Sequence, residues 1–257
     1  MIPKIIHYCW FGKGELPEKA RKCIASWKQF CPDYELIQWN EDNYEIPNIP
    51  FLKKAYEDRK WSFVTDYVRL DVVYRMGGIY FDTDVELLKP LDDLLSYWAY
   101  FGFEEMHTVN TGLGFGAEQH CDILREMMAC YRHLPACQSD EEYFRHTCPV
   151  VQTPMLEKRG LLLNGKTQRL GDIMVFSAEY MNPRDYMTGR MQKTKNTISI
   201  HWYDASWQSL ADRKVSELRY KLMPVFGVKN AWRIAVLIQY MRYKGLRETL
   251  RYYREKY

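Results

Sequence analysis

The stretch Thr65–Asp84, T-D-Y-V-R-L-D-V-V-Y-R-M-G-G-I-Y-F-D-T-D, decides how this 257-residue chain is interpreted. Its pattern predicts a helix, a break at Gly77-Gly78 and a short apolar strand that delivers Asp82 and Asp84 at its C-terminal end. Residues two apart on a strand point to the same side of the sheet. Both carboxylates can therefore face one hard cation, and a cation held there can in turn hold a diphosphate group.

Asp66 and Arg69 are three residues apart on the predicted helix, so they share one face and can approach the same site. Together with the two aspartates they place four polar groups at the end of one strand, which is typical of a functional site. Two other interpretations of the acidic pair stay open. Phosphatases of the haloacid-dehalogenase type also carry D-x-D after an apolar strand, although normally near the N-terminus and with Thr or Val where this chain has Glu86. The pair could also be two exposed aspartates that begin a turn.

Strand and helix signals alternate from the first residues and predict an open α/β sheet with covered faces. Strands are predicted at Ile2–Tyr8, Tyr34–Trp39, Ile79–Phe81, Tyr97–Phe103, Gly171–Phe176 and Thr197–Trp202. Helices are predicted at Leu16–Phe30, Phe51–Arg59, Ser62–Met76 and Asp122–Tyr131. Ligands of such sheets lie beyond the carboxyl ends of the strands. His7 and His201 also lie at or near predicted strand ends.

The composition is that of a soluble globular protein, with 47% apolar and 27% charged residues. No apolar run reaches the length of a membrane span, and the N-terminus lacks the apolar core of a signal peptide. Seven cysteines without a C-x-x-C pair predict free thiols in a reducing compartment. A zinc site between residues 121 and 148 is an alternative that the spacing of the Cys and His residues there does not favour. We expect the chain to be cytoplasmic.

The segment Gln208–Tyr257 is strongly basic, with 12 Lys or Arg against 4 Asp or Glu, whereas the rest of the chain is net acidic. Trp, Ile, Leu and Tyr alternate with the basic residues at helical spacing. This pattern predicts an amphipathic helix on an anionic membrane surface, with a helix packed on its own domain as the alternative. No nucleic-acid-binding motif accompanies the charge. We therefore expect a catalytic domain at 1–207 and a basic helical tail at 208–257.

The run Ser62–Asp84, followed by Pro90, resembles the sugar-binding Asp-x-Asp region of glycosyltransferase family 32 and is similar to the core of the large glucosylating bacterial toxins. The likeness extends to Ile2–Gly12 at the start and to Ile198–Trp207, I-S-I-H-W-Y-D-A-S-W, at the end. It implies a GT-A fold (a Rossmann-like fold that binds nucleotide sugars), a divalent metal that is usually Mn²⁺ or else Mg²⁺, a nucleotide-sugar donor and retention of anomeric configuration.

The resemblance also implies roles for the polar residues. Asp84 would be the direct metal ligand, and Asp82 would bind the ribose and the donor sugar while supporting the metal. His201 would be a second metal ligand or a diphosphate contact. Asp66 and Arg69 would hold hydroxyl groups of the transferred sugar.

Further residues are implied to bind the donor or the acceptor. They are His7, Tyr8, Trp10, Phe11, Tyr80, Asn110, Ser206 and Trp207. Trp10 with Tyr8 or Phe11 would cradle the base, and Ser206 and Trp207 would close over the diphosphate to exclude water. For His7 the alternative is a core residue with both ring nitrogens satisfied.

The implied activity is a hexosyltransferase that takes a hexose from a nucleotide sugar, with uridine-diphosphate sugars favoured and guanosine-diphosphate mannose second. The implied acceptor is a saccharide or lipid-linked saccharide in capsule or surface polysaccharide synthesis, at the inner face of the plasma membrane. The alternative of another class is a non-catalytic sugar-binding or assembly component at the membrane.

Overall fold

A computed structural model describes residues 1–185, 188–204 and 210–256 of the chain. The strands are β1 (Ile5–Cys9), β2 (Glu35–Trp39), β3 (Gly78–Tyr80), β4 (Val85–Leu87), β5 (Ala99–Glu105), β6 (Thr108–Val109), β7 (Phe115–Ala117), β8 (Gln168–Leu170), β9 (Ile173–Phe176) and β10 (Ser199–His201). The helices are α1 (Glu18–Phe30), α2 (Pro50–Glu57), α3 (Trp61–Met76), α4 (Asp122–Tyr131), α5 (Asp140–Phe144), α6 (Cys148–Glu157), α7 (Ala178–Met181) and α8 (Leu210–Lys256).

The central sheet has the strand order β2-β1-β3-β7-β5-β9-β8, and β6 pairs with β5 at its side. The pairs β1–β2, β1–β3 and β5–β9 are parallel, whereas β3–β7, β5–β7 and β8–β9 are antiparallel. Parallel neighbours need a crossover, and α1 and the α2–α3 pair supply it for the first three strands. The predicted α/β class is confirmed, and the sheet is mixed.

Helix α3 is buried on nearly all sides, with Val64, Val68 and Leu70 fully enclosed. It ends at Gly77-Gly78, where both residues have positive φ angles of 68° and 108°. A Cβ atom on Gly78 would lie 2.8 Å from the Ile5 carbonyl oxygen and 2.9 Å from His7 Nε2. Only glycine therefore lets β3 start directly after α3 and lie against β1.

The chain divides into two compact units, residues 1–184 with 192–202 and residues 185–191 with 203–257. The first unit contains both sheets. In the second unit the predicted helical tail is α8, whose helical conformation is interrupted at Gly227 and Gly245, with φ angles of 70° and 80°. No helix in the described ranges is both long enough and apolar enough to cross a membrane. All seven cysteines are free thiols, as predicted.

Candidate functional site

Asp82 and Asp84 lie in a turn and not on the strand, which corrects the prediction that strand alternation points them to one side. Strand β3 ends at Tyr80, and the Val85 amide then donates a hydrogen bond to the Asp82 carbonyl at 3.1 Å. The chain turns here because Val85 begins β4, which belongs to a separate two-stranded sheet with β10. The turn itself brings the two carboxylates together.

His201 reaches the same turn through the pairing of β10 with β4. The strands are antiparallel with His201 opposite Val85, which places the imidazole beside Asp84. His201 Nε2 lies 3.1 Å from Asp84 Oδ1, and the Trp202 amide donates to the Asp84 carbonyl at 3.0 Å. Three possible ligand atoms lie within 4.8 Å of one another: one carboxylate oxygen of Asp82, one of Asp84 and one ring nitrogen of His201. Two carboxylates supply the oxygen donors that hard divalent cations prefer, and the imidazole can complete the set, so these residues could hold a divalent cation.

Arg69 links the helix α3 to this turn. Its Nη2 lies 2.9 Å from Asp66 Oδ1 and 3.3 Å from Asp82 Oδ1. The guanidinium also lies 5.1 Å from the centre of the Tyr80 ring, and the Tyr80 hydroxyl donates to Asp82 Oδ1 at 2.9 Å. Asp66 and Arg69 are only 5% and 2% exposed. The Asp82 carboxylate is thus held from behind by two buried donors.

The electrostatics of the cluster follow from burial. Burial raises the pKa of Asp66 to about 6, and the charge of Arg69 opposes this rise. Burial likewise raises the pKa of Asp82, and the positive charge of Arg69 again opposes the rise. For Arg69, burial acts to lower the pKa, but the negative charges of Asp82 and Asp66 outweigh it and hold the pKa well above its usual range. Burial also acts downward on the pKa of His201, but the negative charge of Asp84 outweighs it and raises the pKa overall.

Asn110 lies in a hydrogen-bonded loop that packs on Asp82. Its Oδ1 accepts from the Gly112 amide at 2.7 Å and from Cys148 Sγ at 3.2 Å, and its Nδ2 donates to Glu104 Oε1 at 2.9 Å. A Cβ atom on Gly112 would lie 2.4 Å from Asp82 Oδ2, so the Gly112 backbone lies directly against the Asp82 side chain.

Glu104 and Cys148 hold the Asn110 side chain, and sequence reasoning did not place them in the site. Glu104 is the second-to-last residue of β5, and the rule that ligands gather at the carboxyl ends of strands could have found it. Cys148 is the first residue of α6, and no local pattern marks it.

His7 is placed in the core, so the structure does not support its predicted substrate contact. Its Nε2 lies 2.8 Å from the Gly77 carbonyl oxygen, and its Nδ1 accepts from Trp39 Nε1 at 3.1 Å. Burial lowers its pKa to about 4. Both ring nitrogens are therefore used inside the protein, which is the alternative that the sequence left open.

The aromatic residues predicted to surround the base differ in exposure. Tyr8 is buried against Trp27 with ring centres 5.6 Å apart, and Phe11 is buried against Tyr44. Trp10 keeps part of its surface exposed, and its Nε1 donates to the Gly14 carbonyl at 2.6 Å.

Trp10 is therefore the aromatic residue of the three that is best placed to meet a ligand. The predicted diphosphate contacts Ser206 and Trp207 lie outside the described residues.

Residues 17–100 match the family model described as "Glycosyltransferase sugar-binding region containing DXD motif". Over 103 residues the chain is 35% identical to inositol phosphoceramide mannosyltransferase 3 of Schizosaccharomyces pombe, a match that covers 38% of this chain and 29% of that protein. The chain therefore spans less than a third of this curated relative.

Two solved structures are similar, each at 16% sequence identity. The PaToxG glycosyltransferase has a TM-score of 0.47, covering 62% of this chain and 70% of its own. A glycosyltransferase involved in the glycosylation of the major capsid of PBCV-1 has a TM-score of 0.45, covering 84% and 98%. The segment 17–100 that matches the family model carries Asp66, Arg69, Asp82 and Asp84.

Proposed function

We propose that the protein is a metal-dependent, retaining glycosyltransferase of the GT-A type that moves a hexose from a nucleotide sugar to a saccharide acceptor. The observation that carries the proposal is the convergence of Asp82, Asp84 and His201 at one turn inside the matched region. An exposed acidic turn without a role would need neither the buried Arg69 behind it nor an imidazole paired to Asp84.

Asp84 and His201, supported by Asp82, would hold the divalent cation. When bound, Mn²⁺ or Mg²⁺ supplies Lewis-acid stabilisation of negative charge on the leaving diphosphate. Asp82 would also accept a hydrogen bond from a hydroxyl group of the nucleotide sugar. Its orientation for this contact is fixed by Tyr80 and Arg69, which both bind Oδ1.

Asp66 and Arg69 were expected to hold hydroxyls of the transferred sugar. Because both are almost completely buried, we propose that their main contribution is to hold Asp82 in place and to balance its charge. Asn110, fixed by Glu104 and Cys148, would contact the sugar from the opposite loop. Trp10 would stack on the base of the donor.

The reaction would proceed on the face of the sugar from which the diphosphate leaves. The acceptor hydroxyl oxygen forms the new bond to the anomeric carbon, the bond from that carbon to the diphosphate oxygen breaks, and the hydroxyl proton passes to a phosphate oxygen. Attack on this face retains the anomeric configuration. The chain's own residues then serve to position the donor and to exclude water.

The donor is a uridine-diphosphate hexose in our first proposal. The relative named as a mannosyltransferase favours guanosine-diphosphate mannose as the second candidate. The basic tail supports a location on the cytoplasmic, inner face of an anionic plasma membrane and an acceptor in capsule or surface polysaccharide synthesis.

A donor panel tests the proposal. Nucleotide release by the purified protein is measured with uridine-diphosphate glucose, uridine-diphosphate galactose and guanosine-diphosphate mannose, each with Mn²⁺ or with chelator. Metal-dependent release from one donor supports the transferase and identifies the sugar. Metal-dependent binding of a donor without release, even when a range of saccharide acceptors is added, would instead support the non-catalytic sugar-binding alternative.

A further inference from the structure

The two halves of α8 on either side of Gly227 fold back on each other. The Arg219 guanidinium lies 5.3 Å from the centre of the Trp232 ring. In an unbroken helix these residues, 13 positions apart, would be separated by about 20 Å along the axis. The positive φ of 70° at Gly227 supplies the reversal, directly after Pro224 has weakened the helix. Residues 224–228 are therefore the corner of a helical hairpin.

The corner exposes large apolar side chains. Val225 is 76% exposed, Phe226 47%, Val228 37% and Trp232 46%. Val228 and Trp232 are four residues apart and share one helix face. The other large exposed apolar residues in the described ranges are separated from one another along the chain. Single exposed apolar residues are ordinary, whereas a contiguous group marks a surface that binds something.

The charge around the corner is of one sign. From Leu218 to Arg247 the sequence contains no Asp or Glu, while Lys or Arg occupies seven positions. Lys221 and Arg233, on the two sides of the corner, are exposed. An apolar surface rimmed by cations is complementary to the headgroup region of an anionic bilayer. A symmetric contact with a second copy would instead bring two positive rims together.

We propose that the helical hairpin corner, Val225, Phe226, Val228 and Trp232, inserts into the interface of an anionic lipid bilayer while the flanking Lys and Arg contact the headgroups. The inference rests on the membrane-surface location in the proposed function and names the part of the chain that makes the contact. This model differs from electrostatic adsorption of the whole basic tail, because it requires the apolar side chains of the helical hairpin corner to insert into the bilayer.

Vesicle sedimentation tests the insertion. The full chain is mixed with vesicles of phosphatidylcholine alone or of an equal mixture of phosphatidylcholine and phosphatidylglycerol. The double variant Val225→Ser/Phe226→Ser is compared with the matched control Leu162→Ser, whose side chain is 65% exposed in the first unit. Because both corner residues are exposed, circular dichroism should show an unchanged fold. We expect the double variant to bind the mixed vesicles about tenfold or more weakly and the control to bind like the wild type.

Quenching by brominated lipid gives a second readout of the same contact. We expect tryptophan fluorescence to be quenched when bromine is placed in the acyl chains near the headgroups. Trp232→Phe should remove most of that quenching while vesicle binding persists.

Three results would overturn the inference. They are wild-type binding by the double variant, no binding of the wild type to phosphatidylglycerol vesicles, and a change of molecular mass in solution caused by the double variant. The last would show that a second copy covers the corner.

Nucleotide release in solution is measured on the same samples. Release that persists while vesicle binding fails contradicts the membrane inference alone, and absent release with intact vesicle binding contradicts the transferase alone.

Discussion

The buried guanidinium of Arg69 bridges Asp66 and Asp82, with Nη2 2.9 Å from one carboxylate and 3.3 Å from the other. The one guanidinium therefore binds carboxylates from two different elements, the helix α3 and the turn after β3. The Asp82 carboxylate also lies close to Asp84 and His201, with which it forms the candidate metal site. Arg69 therefore contributes both to the stability of α3, through Asp66, and to the position of Asp82 in the candidate metal site.

Removal of Arg69 should therefore destabilise the fold as well as abolish turnover. We expect Arg69→Met to lower the free energy of unfolding by roughly 3 kcal/mol, because it leaves the buried Asp66 carboxylate and the partly buried Asp82 carboxylate without their cation. Urea denaturation measures the loss. Adding Asp66→Asn removes one of the two charges, and the double variant should regain part of the stability. An Arg69→Met variant as stable as the wild type would contradict this account of the bridge.

Gly112→Ala should impair activity far more than it impairs folding. The new Cβ would lie 2.4 Å from Asp82 Oδ2 and 2.9 Å from Arg69 Nη1, so Asp82 must shift. A displacement of this kind at a catalytic group lowers turnover by on the order of 100-fold. Gly14→Ala is the matched control, since no atom lies within 4 Å of the added Cβ. Equal turnover in the two variants would show that the position of Asp82 does not matter.

His7 should make the fold sensitive to acid. Its pKa is about 4 in the folded protein against 6.5 for the ordinary group, so the unfolded chain binds the proton more tightly. Stability is therefore lost as the pH falls from about 6.5 toward 4, by up to roughly 3 kcal/mol. Asp66 acts in the opposite sense below pH 6, because its raised pKa favours the protonated folded form.

The test compares the pH dependence of unfolding in the wild type and in His7→Gln. The Asp66 contribution is common to both and cancels, so the variant should show a flatter loss of stability between pH 6.5 and 4. His133→Gln, at an exposed position, serves as the control. Parallel curves for wild type and His7→Gln would refute the assignment of acid sensitivity to His7.

Several parts of the site could be predicted from the sequence because their signals are local. Paired glycines commonly end a helix, so the end of α3 before Gly77-Gly78 could be predicted. Asp82 and Asp84 come shortly after the short apolar strand β3, as the sequence pattern indicates. Helix α4 matches its predicted bounds, since ten residues are enough for helical periodicity to show.

Other parts depend on register and could not be read locally. Strand β7 has three residues, too few to show a period of two, yet it sets the antiparallel half of the sheet. The hydrogen bonds of His7 to Gly77 and Trp39 exist only because β1 pairs with both β2 and β3. The same holds for His201, whose contact with Asp84 depends on the pairing of β10 with β4.

The Mn²⁺ dependence of nucleotide release, in the wild type and in Asp84→Asn and His201→Ala, tests the central claim most directly. Asp93→Asn, at an exposed aspartate, is the control. We predict release that chelator abolishes in the wild type and in the control, no release from Asp84→Asn, and a requirement for at least roughly tenfold more Mn²⁺ in His201→Ala. Metal-dependent release by Asp84→Asn at the wild-type rate and Mn²⁺ concentration would contradict the claim that this turn holds the metal and the donor.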